Sequence, residues 1–363
     1  MLRIRILTIV VIMVFAGMLH ADEETEIMKL KIGDPQLKNK TMTVLPGKIF
    51  SADKGEAISF EKMIAEMKTA RIVYVGESHN SLPMHDIQHR IAQALYAGDK
   101  DLVLGLEMYD VKWQEHLNKW SLGLLTEDEF IDQAQWYVNW NFNFNYYKKI
   151  FDLAKENKIP VYALNAPRKI IRKIRMQGWD ALNDEEKLIV PKPDVTNKDH
   201  IALMRAIFGD VEMPAAMKGK GAGDMMFQAI YRAQSSWDEV MAKNTLRAAN
   251  IEGKRVVVMV GSGHLIYNLG INRRAYEKQP LPYKTVICVT VPEGEQSVVV
   301  SRSLGNYIWG LPEEKREVFR LVHEMEMSMQ DAANRLGIPE GTVKSRLHYA
   351  KRHIAREWLE LNE

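Results

Sequence analysis

RIVYVGESH, residues 71–79, is a short run of apolar and mostly β-branched residues that ends in a glutamate and a histidine. Apolar residues at consecutive positions are typical of a strand buried on both faces. Three further segments share this form, namely LVLGLEMYD (102–110), IPVYALNAPR (159–168) and RVVVMVGSGH (255–264). Stretches with helical character separate them, which predicts an α/β fold with a doubly wound, mostly parallel sheet.

The rest of this part of the chain is expected to complete the same sheet. TVICVTV (285–291) and QSVVVSRS (296–303) are predicted to be later strands of it. Residues 22–60 are polar and lack a clear period, which predicts an irregular leader into the fold. Cys288 is the single cysteine, and its apolar neighbours predict an inert core thiol.

The composition is that of a soluble globular protein, with 46% hydrophobic and 26% charged residues. A length of 363 residues allows two domains, or one large domain and a smaller module. The net charge of +2 indicates no polyanionic partner by itself, so any nucleic-acid surface must be a local patch.

The N-terminus has the three parts of a signal peptide. Arg3 and Arg5 precede an apolar run from Ile6 to Leu19, and Ala21 stands before an acidic stretch. We therefore predict a signal peptide over residues 1–21 and a periplasmic or exported protein. The alternative is an uncleaved anchor, although the run is short for a membrane span. If the segment does not direct export, the protein is cytoplasmic.

Polar residues and glycines follow each of the four strands at its carboxyl end. In open parallel sheets, ligands bind outside the carboxyl ends of the strands. We therefore expect one shared site, built from Glu77, His79, Glu107, Tyr109, Asn165, Arg168, Gly261, Gly263 and His264.

Five motifs in this region resemble one family. They are VGESHNSLPMHDIQHRI (75–91), LEMYD (106–110), LNAPR (164–168), AQSSWDEVMA (233–242) and GSGHLIYNLGINRR (261–274). Together they resemble the ChaN-like haem-binding proteins of the Tiki superfamily, which are exported bacterial proteins of iron uptake, over about residues 60–309. The resemblance implies a helical insert beside the sheet, haem bound in a cleft, and a homodimer around the haem.

The candidate residues suit a haem ligand. A neutral imidazole from His79 or His264 can coordinate iron, and the phenol of Tyr109 can serve as an axial ligand. The guanidinium of Arg168 can pair with a haem propionate. His85 and His89, one helical turn apart, are expected to be supporting or exposed residues. WYVNWNFNFNYY (136–147) predicts either a wall for a flat porphyrin or an aromatic seam in the core.

A different class of function uses the same residues. Glu77, His79, Glu107 and His264 are also able to hold a divalent metal or act as general bases in a metal-dependent hydrolase. The chain has neither a serine nucleophile elbow nor an HExxH helix, so binding is the preferred interpretation.

The last fifty residues predict a helix-turn-helix module over residues 311–363. Ser328 and Asp331 predict the start of a helix, with Met329, Ala332, Ala333 and Leu336 on its apolar face. Val343 begins the buried stripe of the following helix. LPEEKREVFRL and GIPEGTVKSRLHYAKRHI resemble region four of RNA polymerase sigma factors of the extracytoplasmic-function type, over about residues 311–361.

This second resemblance implies DNA and RNA polymerase as partners. The residues expected to contact DNA are Glu340, Thr342, Lys344, Ser345, Arg346, His348, Lys351 and Arg352. No sigma region two precedes the module, so the chain is not a complete sigma factor. The sequence thus predicts an exported haem-binding domain over residues 22–310, joined to a sigma-type module. The alternative is a cytoplasmic, haem-responsive DNA-binding regulator.

Overall fold

The computed structural model describes residues 25–140, 142–208, 222–292, 294–312, 327–336, 340–341 and 343–344. The predicted signal peptide lies outside these residues. The strands are β1 (Thr41–Val44), β2 (Ile49–Ser51), β3 (Glu56–Ile58), β4 (Ile72–Glu77), β5 (Leu102–Asp110), β6 (Val161–Asn165), β7 (Arg255–Gly261), β8 (Tyr283–Val291), β9 (Val298–Ser301) and β10 (Tyr307–Pro312).

Helices alternate with most of these strands. They are α1 (Phe60–Met67), α2 (Leu82–Asp99), α3 (Gln114–Ser121), α4 (Glu127–Gln133), α5 (Trp136–Asn139), α6 (Lys148–Asn157), α7 (Arg168–Gln177), α8 (Asp184–Ile189), α9 (Lys198–Phe208), α10 (Ala222–Glu252), α11 (Ile271–Lys278) and α12 (Met329–Leu336). No helix within the described part of the chain is both long and apolar enough to cross a membrane.

The main sheet has eight strands in the order β3-β2-β10-β8-β4-β7-β5-β6. The six strands from β10 to β6 are parallel to one another, and β2 and β3 extend the sheet in antiparallel fashion. The predicted α/β class with a doubly wound, mostly parallel sheet is confirmed.

Both faces of the sheet are covered, as the unbroken apolar runs predict. In β4, Val73 and Val75 belong to the core on one face, whereas Ile72 and Tyr74 belong to the core on the other. Helix α2 packs against the first face of β4, and α10 packs against β5, β6 and β7. All six residues of β4 are buried, so the strand has no solvent-facing side.

Two predictions about the smaller strands are wrong. β9, within QSVVVSRS, does not join the main sheet but pairs with β1 in a separate two-stranded sheet. Residues 22–60 are not an irregular leader, because they supply β1, β2 and β3. β1 alternates exposed threonines with buried Met42 and Val44, and so short an alternation is easily missed between polar flanks.

The segment between β5 and β6 forms the helical insert, which is packed with aromatic rings. Trp120, Phe130, Trp136, Phe144 and Phe151 are buried, with ring centroids 4.9–6.3 Å apart. Edge-to-face packing of this kind adds to the stability gained from burial. Most of the aromatic stretch 136–147 is therefore a core seam.

The isolated cysteine and the C-terminal helix follow their predictions. Cys288 is buried, and burial raises the pKa of its thiol to about 12. The backbone N–H of Asp331 donates to Ser328 Oγ at 3.0 Å, which caps α12. Ala332, Ala333 and Val343 are buried as predicted. Met329 was predicted on the apolar face of α12, but its side chain is exposed.

Candidate functional site

A cleft opens at the carboxyl edge of the parallel sheet. The ends of β4, β5, β6 and β7 meet there because the strands are parallel neighbours. Its lining comprises Glu77, Ser78, His79, Glu107, Met108, Asp110, Asn139, Trp140, Asn165, Ala166, Arg168, Gln234, Trp237, Gly261, Gly263 and His264.

His79 and Glu77 form a carboxylate–imidazole pair at the end of β4. Nδ1 of His79 lies 2.6 Å from Oε1 of Glu77, and both side chains are buried. An ionised carboxylate only accepts, so Nδ1–H donates to it. Nε2 has no hydrogen-bond partner among the residues described. Burial opposes charge on His79, but the Glu77 and Glu107 carboxylates raise its pKa above the usual value.

The position of His79 is fixed from several sides. The hydroxyl of Tyr147 donates to the His79 carbonyl oxygen at 3.3 Å, and Nε2 of His85 lies 3.3 Å from the same oxygen. The rings of Trp140 and Phe142 pack on the imidazole, with centroids 4.7 and 5.1 Å away. His85 is therefore a supporting residue, as the sequence predicted, and Trp140 connects the aromatic seam to the cleft.

His264 lies between two buried carboxylates. Its Nδ1 is 2.5 Å from Oδ1 of Asp238, and its Nε2 is 3.4 Å from Oε1 of Glu107. Glu107 also accepts the backbone N–H of Gly261 at 2.7 Å. The amide of Gln234 lies 2.9 Å from Nδ1 of His264.

The electrostatics of this cluster of His264, Glu107 and Asp238 keep His264 and Glu107 ionised. Burial opposes charge on His264, but Glu107 and Asp238 raise its pKa to about 10. Burial likewise opposes charge on Glu107, but His264, His79 and the Gly261 N–H lower its pKa to about 2. His264 is thus an imidazolium at neutral pH, with a carboxylate on each ring nitrogen.

Two glycines allow the histidines to sit this close to the backbone. A Cβ at Gly261 would lie 2.9 Å from Cε1 of His79, and one at Gly270 would lie 2.1 Å from the carbonyl oxygen of His264. Neither approach is open to a residue with a side chain. The turn after β7 is therefore shaped around the two imidazoles.

The cleft rim on the β6 side carries the remaining predicted residues. Asn165 donates to the carbonyl oxygen of Glu107 at 3.0 Å and accepts the N–H of Ala166 at 2.8 Å. Arg168 is exposed at the start of α7 and donates to the carbonyl oxygen of Asn139. Burial of part of the side chain lowers the pKa of Arg168, and nearby Asp110 opposes this.

Tyr109 lies away from the cleft, contrary to its assignment as a candidate iron ligand. It is fully buried in the helical insert, where its ring packs against Trp113, Phe130 and Trp136. The reason is a shift in strand register between Leu106 and Asp110, which turns Tyr109 away from the side that Glu107 occupies.

Sequence reasoning missed two polar residues of the site, Gln234 and Asp238 on α10. Both contact His264, and they stand four residues apart on one face of the helix. Their spacing within AQSSWDEVMA was the available signal. In the described part of the chain, no group of three or more His, Cys, Asp or Glu has metal-binding geometry.

Most of the predicted DNA-contacting residues, Thr342, Ser345, Arg346, His348, Lys351 and Arg352, lie outside the described residues. Glu340 and Lys344 are described, and they form a surface ion pair of 2.9 Å. Such exposed pairs contribute little stability, so Lys344 is able to exchange its partner for a phosphate.

Two family profiles match the chain. The profile described as haem-binding uptake, Tiki superfamily, ChaN, matches residues 63–275. The profile described as sigma-70, region 4, matches residues 301–354. The second match therefore begins at the end of β9 and includes β10.

Individual proteins resemble the first of these regions. The chain is similar to a structure described as cofacial heme binding to ChaN of Campylobacter jejuni, with a TM-score of 0.55 and 18% identity over 74% of this chain and 96% of that one. An erythromycin esterase in its open conformation has a TM-score of 0.40 and 11% identity, over 71% and 83% of the two chains.

A curated relative is the chloroplastic protein RETICULATA-RELATED 5 of Arabidopsis thaliana. It is 23% identical over 180 residues, which is 47% of this chain. This chain spans 22% of the length of that protein. The likeness to the Campylobacter structure shows a common fold for the α/β part.

Replacing His264 by alanine is expected to lower the free energy of unfolding by about 3–5 kcal/mol, because it leaves Glu107 and Asp238 buried without their cation. Urea unfolding followed by circular dichroism measures the loss. His89→Ala, at a half-buried histidine of α2 outside the cleft, should cost less than about 1 kcal/mol. Equal losses in the two variants would contradict the assignment of a required cation.

The cluster of His264, Glu107 and Asp238 also predicts a pH window of stability. The raised pKa of His264, about 10, adds stability that is complete below the unfolded value of about 6.5 and is lost as pH rises toward 10. The lowered pKa of Glu107, about 2, adds stability that is complete above about 4.3 and is lost as pH falls toward 2. The wild-type advantage over His264→Ala should therefore be greatest between about pH 4.5 and 6.5. Unfolding free energies across pH 3–9 test this, and a flat difference would refute it.

Proposed function

We propose, from the premise that the chain belongs to the ChaN family of haem-binding uptake proteins in the Tiki superfamily, that its cleft binds haem through the imidazole of His79. The observation that carries the proposal is the orientation of His79. Its Nδ1–H is held by Glu77, so the opposite nitrogen, Nε2, is available in the cleft. A carboxylate on the far nitrogen fixes the ring and makes it a better ligand for a metal.

The other residues of the cleft fit haem as a ligand. Bound haem supplies an iron whose axial position an imidazole nitrogen can fill. Trp140 and Trp237 provide aromatic surface for a flat macrocycle, and exposed Arg168 provides a forked donor for its carboxylates. His264 does not fit an iron ligand, because each ring nitrogen faces a carboxylate.

We propose further that two protomers enclose the haem. Helix α5 leads directly to Trp140 at the cleft, and it exposes 54% of Tyr137 and 69% of Val138. Exposed apolar side chains beside a binding site are typical of a surface that a partner covers. A second copy of the chain would shield these residues and the open face of the ligand.

Wild-type protein titrated with haemin is expected to show a shifted and sharpened Soret band. His79→Ala should abolish or shift this band, and Glu77→Gln should weaken binding by about 10–100-fold, since it removes the carboxylate that orients the ligand. His89→Ala is the matched control and should bind normally. Light scattering in the same titration reports the association state. A wild-type spectrum that persists in His79→Ala would refute the ligand assignment.

The cellular role proposed is haem or iron acquisition outside the cytoplasm. Its support is the pattern of a signal peptide in residues 1–21. The second candidate, a cytoplasmic haem-responsive regulator, is favoured by the sigma-70 region 4 module, in which exposed Lys344 is described.

A reporter enzyme that is active only outside the cytoplasm, fused after residues 1–40, separates the two roles. The acquisition role predicts efficient export and a shortened, processed product, because the apolar run directs translocation. Replacement of two residues in the run Ile6–Leu19 by lysine is the control and should retain the fusion inside the cell. A wild-type fusion that stays in the cytoplasm would overturn export and favour the regulator.

A further inference from the structure

Another buried histidine, His200, lies behind the cleft on the side of Asp238 away from His264. His200 of α9 is fully buried and packs edge-on against Tyr231 of α10, with ring centroids 5.3 Å apart. Its Nδ1 lies 3.4 Å from the hydroxyl of Tyr231. The cleft description above does not use this residue, because it lines no part of the cavity.

Two unsatisfied polar atoms face each other at this point. Nε2 of His200 and Oδ2 of Asp238 are both buried without a hydrogen-bond partner in the described chain, and they are 3.6 Å apart. Leaving such atoms unpaired is costly, because each has lost its hydrogen bonds to water. A movement of about 0.6 Å would bring them to the usual N–H···O distance.

The two atoms are complementary as donor and acceptor. Burial lowers the pKa of His200 to about 4, so the ring is neutral at pH 7 and has one N–H. The Tyr231 hydroxyl is placed to donate to Nδ1, and in the tautomer that accepts it the ring hydrogen lies on Nε2. Oδ2 of Asp238 is an acceptor, and Oδ1 of the same carboxyl group is already paired with His264.

The neighbouring arginines form ion pairs with other carboxylates, although Nε of Arg274 has no partner in the described chain. Arg274 pairs with Glu239 at 3.1 Å, and Arg273 pairs with Asp194 at 3.2 Å. Asp238 has no exposed surface, so water does not compete for Oδ2. Nε2 of His200, 3.6 Å away, is a buried nitrogen without a partner in the described chain that faces this oxygen.

We propose that His200 is a positioning residue for the cleft, whose Nε2–H holds Oδ2 of Asp238 so that Oδ1 remains on Nδ1 of His264. The result is a chain of side-chain contacts in which imidazoles and carboxylates alternate. It runs from Tyr231 through His200, Asp238 and His264 to Glu107. This chain of contacts fixes the position of the His264 imidazolium at the cleft wall. Through His264 it also fixes Glu107, whose carboxylate accepts the backbone N–H of Gly261. Its effect on ligand binding rests on the proposed haem function, whereas its effect on His264 does not.

The test uses the full-length protein without haem first. In wild type, the proton shared by Asp238 and His264 across 2.5 Å should give a far-downfield proton NMR signal, because short charge-assisted bonds deshield their proton. His200→Leu removes the donor to Asp238 and should abolish the signal. His200→Gln keeps an N–H at this place and should restore it. Leu203→Ala, which opens a cavity in the same helix, should leave it unchanged.

Haem binding gives the second readout. His200→Leu should weaken haemin affinity by about tenfold, with recovery in His200→Gln and no comparable change in Leu203→Ala. If His200→Leu keeps the downfield signal, or if Leu203→Ala loses it equally, His200 has only a packing role and the proposal is overturned. If wild type binds no haem while the NMR signals follow the expected order, the haem proposal fails and the positioning role stands.

Discussion

One buried imidazolium between two carboxylates determines how the cleft is assembled. His264 follows β7, Glu107 belongs to β5, and Asp238 belongs to α10, so a single charged group joins two neighbouring strands to the helix that crosses behind them. Removing two carboxylates from water is costly unless a cation stays between them. Gly270 follows from the same requirement, because a Cβ there would lie 2.1 Å from the carbonyl oxygen of His264 and 3.3 Å from Oδ2 of Asp238.

The two histidines of the cleft acquire different properties from similar surroundings. His79 has a carboxylate on one nitrogen, and its other nitrogen has no hydrogen-bond partner among the residues described. His264 has a carboxylate near each nitrogen, which keeps it protonated. The distinction depends on Asp238, which lies on a helix 26 residues before His264. The residues next to His264 in the sequence therefore do not reveal this contact.

The sequence allowed the sheet and much of the cleft to be predicted, because both depend on local pattern. Continuous apolar runs mark strands covered on both faces, and parallel strands bring their carboxyl ends together. The prediction was wrong for Tyr109 because it placed the ring at the strand end beside Glu107, whereas the pairing of β5 changes register between Leu106 and Asp110. It was also wrong for β1 to β3, which are too short and too polar to give a strand signal on their own. Tertiary pairing, rather than local propensity, determines these strands.

The topology also fixes where the sigma-type module begins relative to the cleft. β10 is parallel to β8, and β8 is parallel to β4, so the carboxyl ends of all three lie at the edge of the sheet that holds His79. Two strand spacings separate β10 from β4, which is about 10 Å. The region 4 match starts at residue 301 and takes in β10, an interior strand held between β8 and β2. The junction therefore lies within the sheet itself, because the second family pattern has already begun when β10 reaches this edge at Pro312.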